Sequence, residues 1–572
     1  MSDNEIWDEQ GNWKGSAETA KGSGEKSPVE GTAAVAERGP ETMKVIDGGR
    51  ITPQMTEETK RLKENFRFFG PVTALYALFY VFCTYKNDAG ITYPFFVAGS
   101  FLFFFYSLKK LGLTLKKDSI FYAVSMMLLA ISTFCTDDER IIILNRLAIF
   151  LLMISFLLTQ FFRTGKWGLG KYFRSIMKLI FTSFGDLPRP VIDMVGYARN
   201  TESKKTKKAL YVFLGMLITL PVFAIVAALL SSADALFRKV MDDMLLAVNP
   251  GDVISICFRV LCWFFGTYML LSRLCRRTIS EDVQDCRKGE PILAITLTGM
   301  LSLMYVPFSV IQILGLFMGK LTLPEGYTYA EYAREGFFQL LAVAILNLVI
   351  VLLCMALFRE SKILKGVLTI MSLCTFIMIA SSAMRMLLYV ETYNLTFLRI
   401  FVLWALAVLF LLFLGVVIQI YKESFPLFRY GMTVVTIFYI GLAFSHPDYV
   451  IAKFNLENSG ASLDYSYLAE LSSDAAPVLI PYLKEHGYDL SVVTLPDAAA
   501  KDDRIADTLR PKASQDTYWP KVKSILDGKS AKRNDVNGFG YYYLENVRSD
   551  YWNSGIRNFN LSRYRAVQEA TK

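Results

Sequence analysis

The order of apolar and polar positions divides the chain into three parts. Residues 1–59 are polar, rich in Gly, Ser, Glu, Thr and Lys. From 66 to 446, long apolar runs alternate with short charged stretches, and beyond 447 the polarity is mixed. The first part buries too little apolar surface to offset its ordering entropy, so it is predicted to be a disordered cytoplasmic tail. Trp7 and Trp13 within it suit either a plain tail or a short docking motif. The second part predicts eleven transmembrane helices, at 66–85, 91–108, 119–136, 141–162, 209–230, 253–273, 292–318, 337–358, 366–390, 397–421 and 428–446. Each is close to the ~20 residues that cross a hydrocarbon core. The third part, 447–572, has room for one small domain. Helical signals occur there at Asp464–Leu471, at Asp474–His486 closed by Gly487, and at 501–510, 518–527 and 561–570. The expected fold is an all-α integral membrane protein with a small, mainly α extracytoplasmic C-terminal domain.

The charged stretches orient the runs. Lys60, Arg61 and Lys63 precede the first, and Lys109, Lys110, Lys116 and Lys117 follow the second. The 163–208 loop is strongly basic, as are the stretches after the sixth and eighth runs, and Lys422 follows the tenth. The alternate loops carry far fewer Lys and Arg. By the positive-inside rule the N-terminus is cytoplasmic and the C-terminus outside. Within 171–184, Lys171, Arg174 and Lys178 share one helical face, while Tyr172, Phe173, Ile176, Ile180 and Phe184 occupy another. Such a helix either lies along an anionic leaflet or packs on the bundle. A second amphipathic helix, over 232–248, is expected on the outer surface.

Composition refines this picture slightly. The 572 residues are 53% hydrophobic and 14% aromatic, and the net charge of +9 sits in loops between apolar runs. Charge so placed reads as a topology determinant, so the bilayer rather than nucleic acid is the expected partner. No secretory leader is legible in the polar start of the chain. The eight cysteines form no Cys-x-x-Cys pair and lie far from His446 and His486, so neither a metal site nor a disulfide framework is expected, and no cofactor.

Two motifs carry a family resemblance. One is the hairpin Arg385…Tyr389…Tyr393-Asn-Leu-Thr396-Phe-Leu-Arg399. The other joins Pro447-Asp-Tyr-Val-Ile-Ala-Lys-Phe-Asn-Leu456 to Leu463-Asp-Tyr-Ser-Tyr-Leu-Ala-Glu-Leu-Ser-Ser-Asp-Ala-Ala-Pro477, and Ser232-Ala-Asp-Ala-Leu-Phe237 fits as well. With these the chain resembles a bacterial domain-of-unknown-function family of polytopic membrane proteins over most of 66–490. The resemblance implies a bacterial inner-membrane protein and brings no activity with it.

Candidate chemistry is sparse. Arg146, Arg259, Arg385 and Arg399 all fall within roughly 10 Å of the expected outer boundary at 1.5 Å per residue. Charges at that depth need a partner, a route to the interface or a function. Gathered together, with Tyr389, Glu391, Tyr393 and Thr396 in support, they would bind an anionic lipid, a solute or an envelope precursor. Otherwise they snorkel and pair locally, Arg385 or Arg399 with Glu391, and Arg146 with Asp137, Asp138 or Glu139. No run holds an Asp or Glu away from its ends, which disfavours a carboxylate proton relay. Pro221 and Pro307 either break their helices, as in transporters, or kink them. Catalysis is not expected: His486, Asp464, Asp474 and Asp489 form no triad by spacing. The runner-up to anion binding or passage is a sensor or interaction scaffold with an outer receiver domain.

Overall fold

In a computed structural model the apolar runs form helices that account for most of the chain. The structure describes residues 44–47, 50–53, 55–200, 204–234, 250–282, 287–317, 329–458, 463–488, 490, 493, 536–552 and 555–572. The expected helices at 501–510, 518–527 and most of 232–248, and the tail tryptophans, lie outside these residues.

Ordered structure begins earlier than expected. An antiparallel pair, β1 (Lys44–Asp47) and β2 (Arg50–Pro53), precedes α1 (Glu57–Glu64). The Thr56 hydroxyl caps α1 by accepting from Thr59 N, and it also donates to the Cys275 carbonyl at 2.6 Å. Leu62 is fully buried, and Glu58 pairs with Arg277 at 2.8 Å. Thus α1 is held by long-range contacts that local composition does not reveal.

The helices that follow are α2 (Phe66–Thr84), α3 (Thr92–Leu111), α4 (Ser119–Cys135), α5 (Glu139–Phe161), α6 (Leu169–Ser183), α7 (Arg189–Asn200), α8 (Lys204–Ala233) and α9 (Pro250–Cys275). Then come α10 (Pro291–Gln312), α11 (Tyr329–Leu357), α12 (Lys362–Tyr393), α13 (Phe397–Tyr421) and α14 (Leu427–Phe444). The shorter α15 (Pro447–Asn458), α16 (Tyr465–Ala469), α17 (Ala476–Glu485), α18 (Val536–Trp552) and α19 (Leu561–Thr571) complete the order. Among the described residues, eight helices are long and apolar enough to cross a membrane, namely α2, α5 and α9 to α14. The chain is therefore an all-α membrane protein. At 17 residues, α4 rises about 26 Å, a little less than a ~30 Å hydrocarbon core. Helix α10 runs unbroken through Pro307 and passes into a π-helical turn, Ile313–Phe317, while α8 continues through Pro221.

Side chains on the faces between helices explain the packing. One core joins α2 to α7, α9 and α14, with Tyr76 stacked on Phe103 (4.4 Å) and Tyr80 on Trp263 (3.5 Å). A second joins α10 to α13. A third begins between α11, α12 and α13 and continues into α15 to α19. Polar groups bridge helices inside these cores. Asn145 donates to Thr133 and accepts from Tyr439, Gln160 donates to Ser119, and Asn347 joins Tyr305 to Thr375. Where lipid offers no polar alternative, such bridges typically contribute about 0.6 kcal/mol each and select one packing.

Candidate functional site

At the bundle end where α2 meets α3, α4 meets α5, and α12 meets α13, the short helices form a polar clasp. Its centre is Asp474, in the single turn Ser473–Ala475 before α17, only 5% exposed. The carboxylate accepts from the Thr136 hydroxyl (2.5 Å), the Asp137 backbone N–H (2.9 Å) and the Ser562 hydroxyl. His446 Nδ1 lies 3.0 Å from its Oδ2. Four partners thus come from three segments, 136–137, 446 and 562, far apart in the chain. A buried carboxylate tolerates ionisation only with such complete satisfaction. Burial pushes the Asp474 carboxyl up, but the His446 hydrogen bond and charge, with the Ser562 and Thr136 hydroxyls, hold it net below the usual carboxylate range. The hydrogen bond to Asp474 raises His446 above its ordinary value, against partial desolvation and the positive charge of Arg565.

Backbone geometry sets the histidine in place. Helix α14 ends at Phe444 and α15 starts at Pro447, leaving two residues for a sharp turn. His446 takes a left-handed conformation (φ 46°) there, which is unusual for a residue with a Cβ. Its side chain remains 32% exposed, so protons reach it from solvent.

Around this centre a ring of pairs ties the same segments. Arg140 bridges Asp138 (2.8 Å) and Asp448, and it also covers the Phe397 ring at 4.2 Å. Asp448 accepts from Ser472 N at 2.9 Å, and Arg563 pairs with Asp137 at 2.7 Å. Burial raises the Asp138 carboxyl despite its bond to Arg140. Asn455 makes two bonds to the Leu395 backbone, 2.7 and 3.0 Å, pinning the α12–α13 turn.

The C-terminal segment closes the clasp over the α2–α3 turn. Arg557 donates to the Tyr85 carbonyl (2.7 Å) and the Phe82 carbonyl (3.1 Å), satisfying groups at the end of α2. Asn560 donates to the carbonyls of Ala89 and Thr136, both at 2.9 Å, while its Oδ1 caps α19. Gly90 is required here, since a Cβ on it would collide with the Arg557 carbonyl.

The four arginines read from the sequence fall into two pairs. Arg146 and Arg259 flank the α2–α3 turn: Arg146 binds Asp88 (2.8 Å), and Arg259 sits 5.6 Å from the Tyr85 ring centre, with Nε on Ser255 at 3.4 Å. Arg146 therefore pairs with Asp88, not with Asp137, Asp138 or Glu139: Asp137 is taken by Arg563 and Asp138 by Arg140, while Glu139 is exposed in the first turn of α5. Arg385 and Arg399 belong to the α12–α13 turn. Arg385 is 5% exposed and donates to Gln312 Oε1 at 3.2 Å, which also accepts from Ser381 at 2.6 Å. Its guanidinium fills the space a Gly336 side chain would need. Arg399 donates to the carbonyls of Tyr393 and Asn394 and lies 4.3 Å from the Tyr389 ring centre. Glu391 and Tyr393 are exposed and Thr396 is half-buried, immediately before α13.

The sequence shows Asp474 at a helix start and among carboxylates that form no triad by spacing, and His446 as one of two histidines far from any cysteine; it does not pair the two. The local signal was thin: a His before Pro447 and an Asp before an Ala-Ala-Pro start. No group of three or more His, Cys, Asp or Glu side chains suited to a metal is gathered among the described residues. A family model described as a domain of unknown function (DUF4153) matches residues 123–482. It spans Thr136, His446 and Asp474 but stops short of Asn560 and Ser562. No match was found among curated proteins or among solved structures.

Proposed function

Because the chain belongs to the DUF4153 family, whose description assigns no activity, we propose its function from the clasp: a membrane sensor or interaction scaffold with a receiver at its outer end. On the topology read from the basic loops, the clasp faces the extracytoplasmic side of a bacterial inner membrane. The observation that carries this reading is the partly exposed His446 on the buried Asp474, a junction through which α19 is tied to two interhelical turns. A protonated histidine strengthens the junction and a neutral one weakens it, so α19 is a releasable element rather than a fixed strut. Hydrogen exchange of residues 561–571 in lipid nanodiscs tests this. Protection, corrected for intrinsic rate, falls between about pH 6 and about pH 8, and His446→Gln removes that dependence. Equal protection at both pH values in the unaltered protein would reduce the clasp to architecture.

A second reading, binding or passage of an anionic lipid or solute at the same end, draws support from Arg259. This residue is exposed and rests on the face of an aromatic ring, with Arg146 on the same turn. Arg385 and Arg399 serve it less well, being engaged by Gln312 and by backbone carbonyls. Native mass spectrometry of protein carrying Arg146→Gln and Arg259→Gln should lose co-purifying anionic lipid. Unchanged retention would discard this reading.

A further inference from the structure

At the other end of the bundle, α6 presents three separate faces. Tyr172, Ser175, Leu179 and Ser183 are buried against the bundle. Lys171, Arg174 and Lys178 form a second face. The third is apolar and uncovered: Phe173 is 64% exposed and Phe181 71%, and Phe184 in the following turn is 61% exposed.

Both ends of α6 are fastened to the ends of membrane-spanning helices. Near its start, Tyr172 stacks on Phe428 at 3.9 Å, one residue into α14. Near its finish, Thr182 accepts from Arg273 Nε at 3.0 Å, in the last turn of α9. Trp167, buried just after α5, packs on Tyr172 at 5.3 Å. A helix of 15 residues, about 22 Å long, is thus anchored near both extremities to the ends of two membrane-spanning helices.

We propose that α6 is an in-plane binding surface for anionic phospholipid, Phe173, Phe181 and Phe184 entering the acyl boundary while Lys171, Arg174 and Lys178 engage headgroup phosphates. Charge complementarity favours lipid over a partner helix, because the basic face adjoins the apolar one, as a leaflet's phosphate layer adjoins its acyl layer. Lys178 donates to the Thr278 carbonyl (2.9 Å) and Lys171 to the Asp282 carbonyl (3.3 Å), so each ammonium is positioned and retains further N–H donors. Glu281 likewise meets this region through its carbonyl, which accepts from Trp167 at 3.3 Å.

The test places the photoreactive residue p-benzoylphenylalanine at position 181 of the full chain, in nanodiscs of phosphatidylcholine mixed with phosphatidylglycerol. Adducts are expected to be enriched several-fold in phosphatidylglycerol over the bulk ratio. Lys171→Gln, Arg174→Gln and Lys178→Gln together should return them to that ratio, with the thermal midpoint unchanged to show that the fold persists. Adducts that mirror the bulk ratio in the unaltered protein, or that form with protein instead of lipid, would overturn the proposal.

Discussion

Two charge clusters, one at each end of the bundle, are built in opposite ways. At the basic end, Arg287 and Lys365 share Glu360 and Glu423, all four side chains between 30% and 49% exposed. Water screens such pairs, and each contributes roughly 0–1 kcal/mol. At the clasp end, one carboxylate at 5% exposure is satisfied by four partners. There a missing partner leaves a desolvated charge, so the penalty for error is several-fold larger. Numerous exposed cations can set orientation without fixing geometry; a buried acid fixes geometry with few groups.

The largest effect is expected from Asp474→Ala. It strips acceptors from Thr136, Ser562, Asp137 N–H and His446 together, and should cost on the order of 3–5 kcal/mol. A marked fall in thermal midpoint with loss of protection over 561–571 would register it; a near-neutral result would erase the contrast between the ends. Asp186→Ala sharpens the comparison from the other side. Asp186 is a buried carboxylate of the basic end, facing Arg276 (3.1 Å), Arg189 (3.6 Å) and Arg273 (3.9 Å). Those arginines stay 17–28% exposed and can turn to water or lipid phosphate, so a cost of about 1–3 kcal/mol is expected in the same melting assay.

The next effect is the pH response. His446 is raised, so its contribution is complete below the ordinary histidine range, near pH 6.5, and is lost as pH rises through its folded value. Asp474 is lowered, so its contribution is complete above the ordinary carboxylate range, near pH 4, and is lost as pH falls through its folded value. The melting temperature should therefore be highest between these limits and decline toward alkaline pH, the alkaline decline disappearing in His446→Gln. Smallest of all is Lys365→Gln, expected to change stability by less than about 1 kcal/mol and to lose even that at high salt. A larger effect would mean that the exposed network at the basic end acts as a unit.

Much of the bundle was legible because lipid imposes a one-dimensional rule. A helix must satisfy its own backbone and present apolar side chains over a set length, so runs such as 397–421 announce themselves. The structure places a helix on each of the eleven expected segments, and α17 and α19 fall where their start signals stood. The candidate arginines were harder. Depth along a helix follows from counting residues, but rotation and neighbours do not, and the four divide between two turns. Asp474 was visible as a letter while its role was not, since Thr136, His446 and Ser562 gain meaning only when brought within 3.0 Å of it.

By itself, then, the sequence determined the helical class, the membrane setting and the basic and apolar faces of α6, because each follows from periodicity and run length over neighbouring residues; that Tyr172 is buried while Phe173 is uncovered came from packing. Only the tertiary structure decided that a C-terminal helix returns across more than 400 residues to seal the α4–α5 turn. Hydrogen bonds between distant segments leave no local period, and the partners of a buried charge are set by packing.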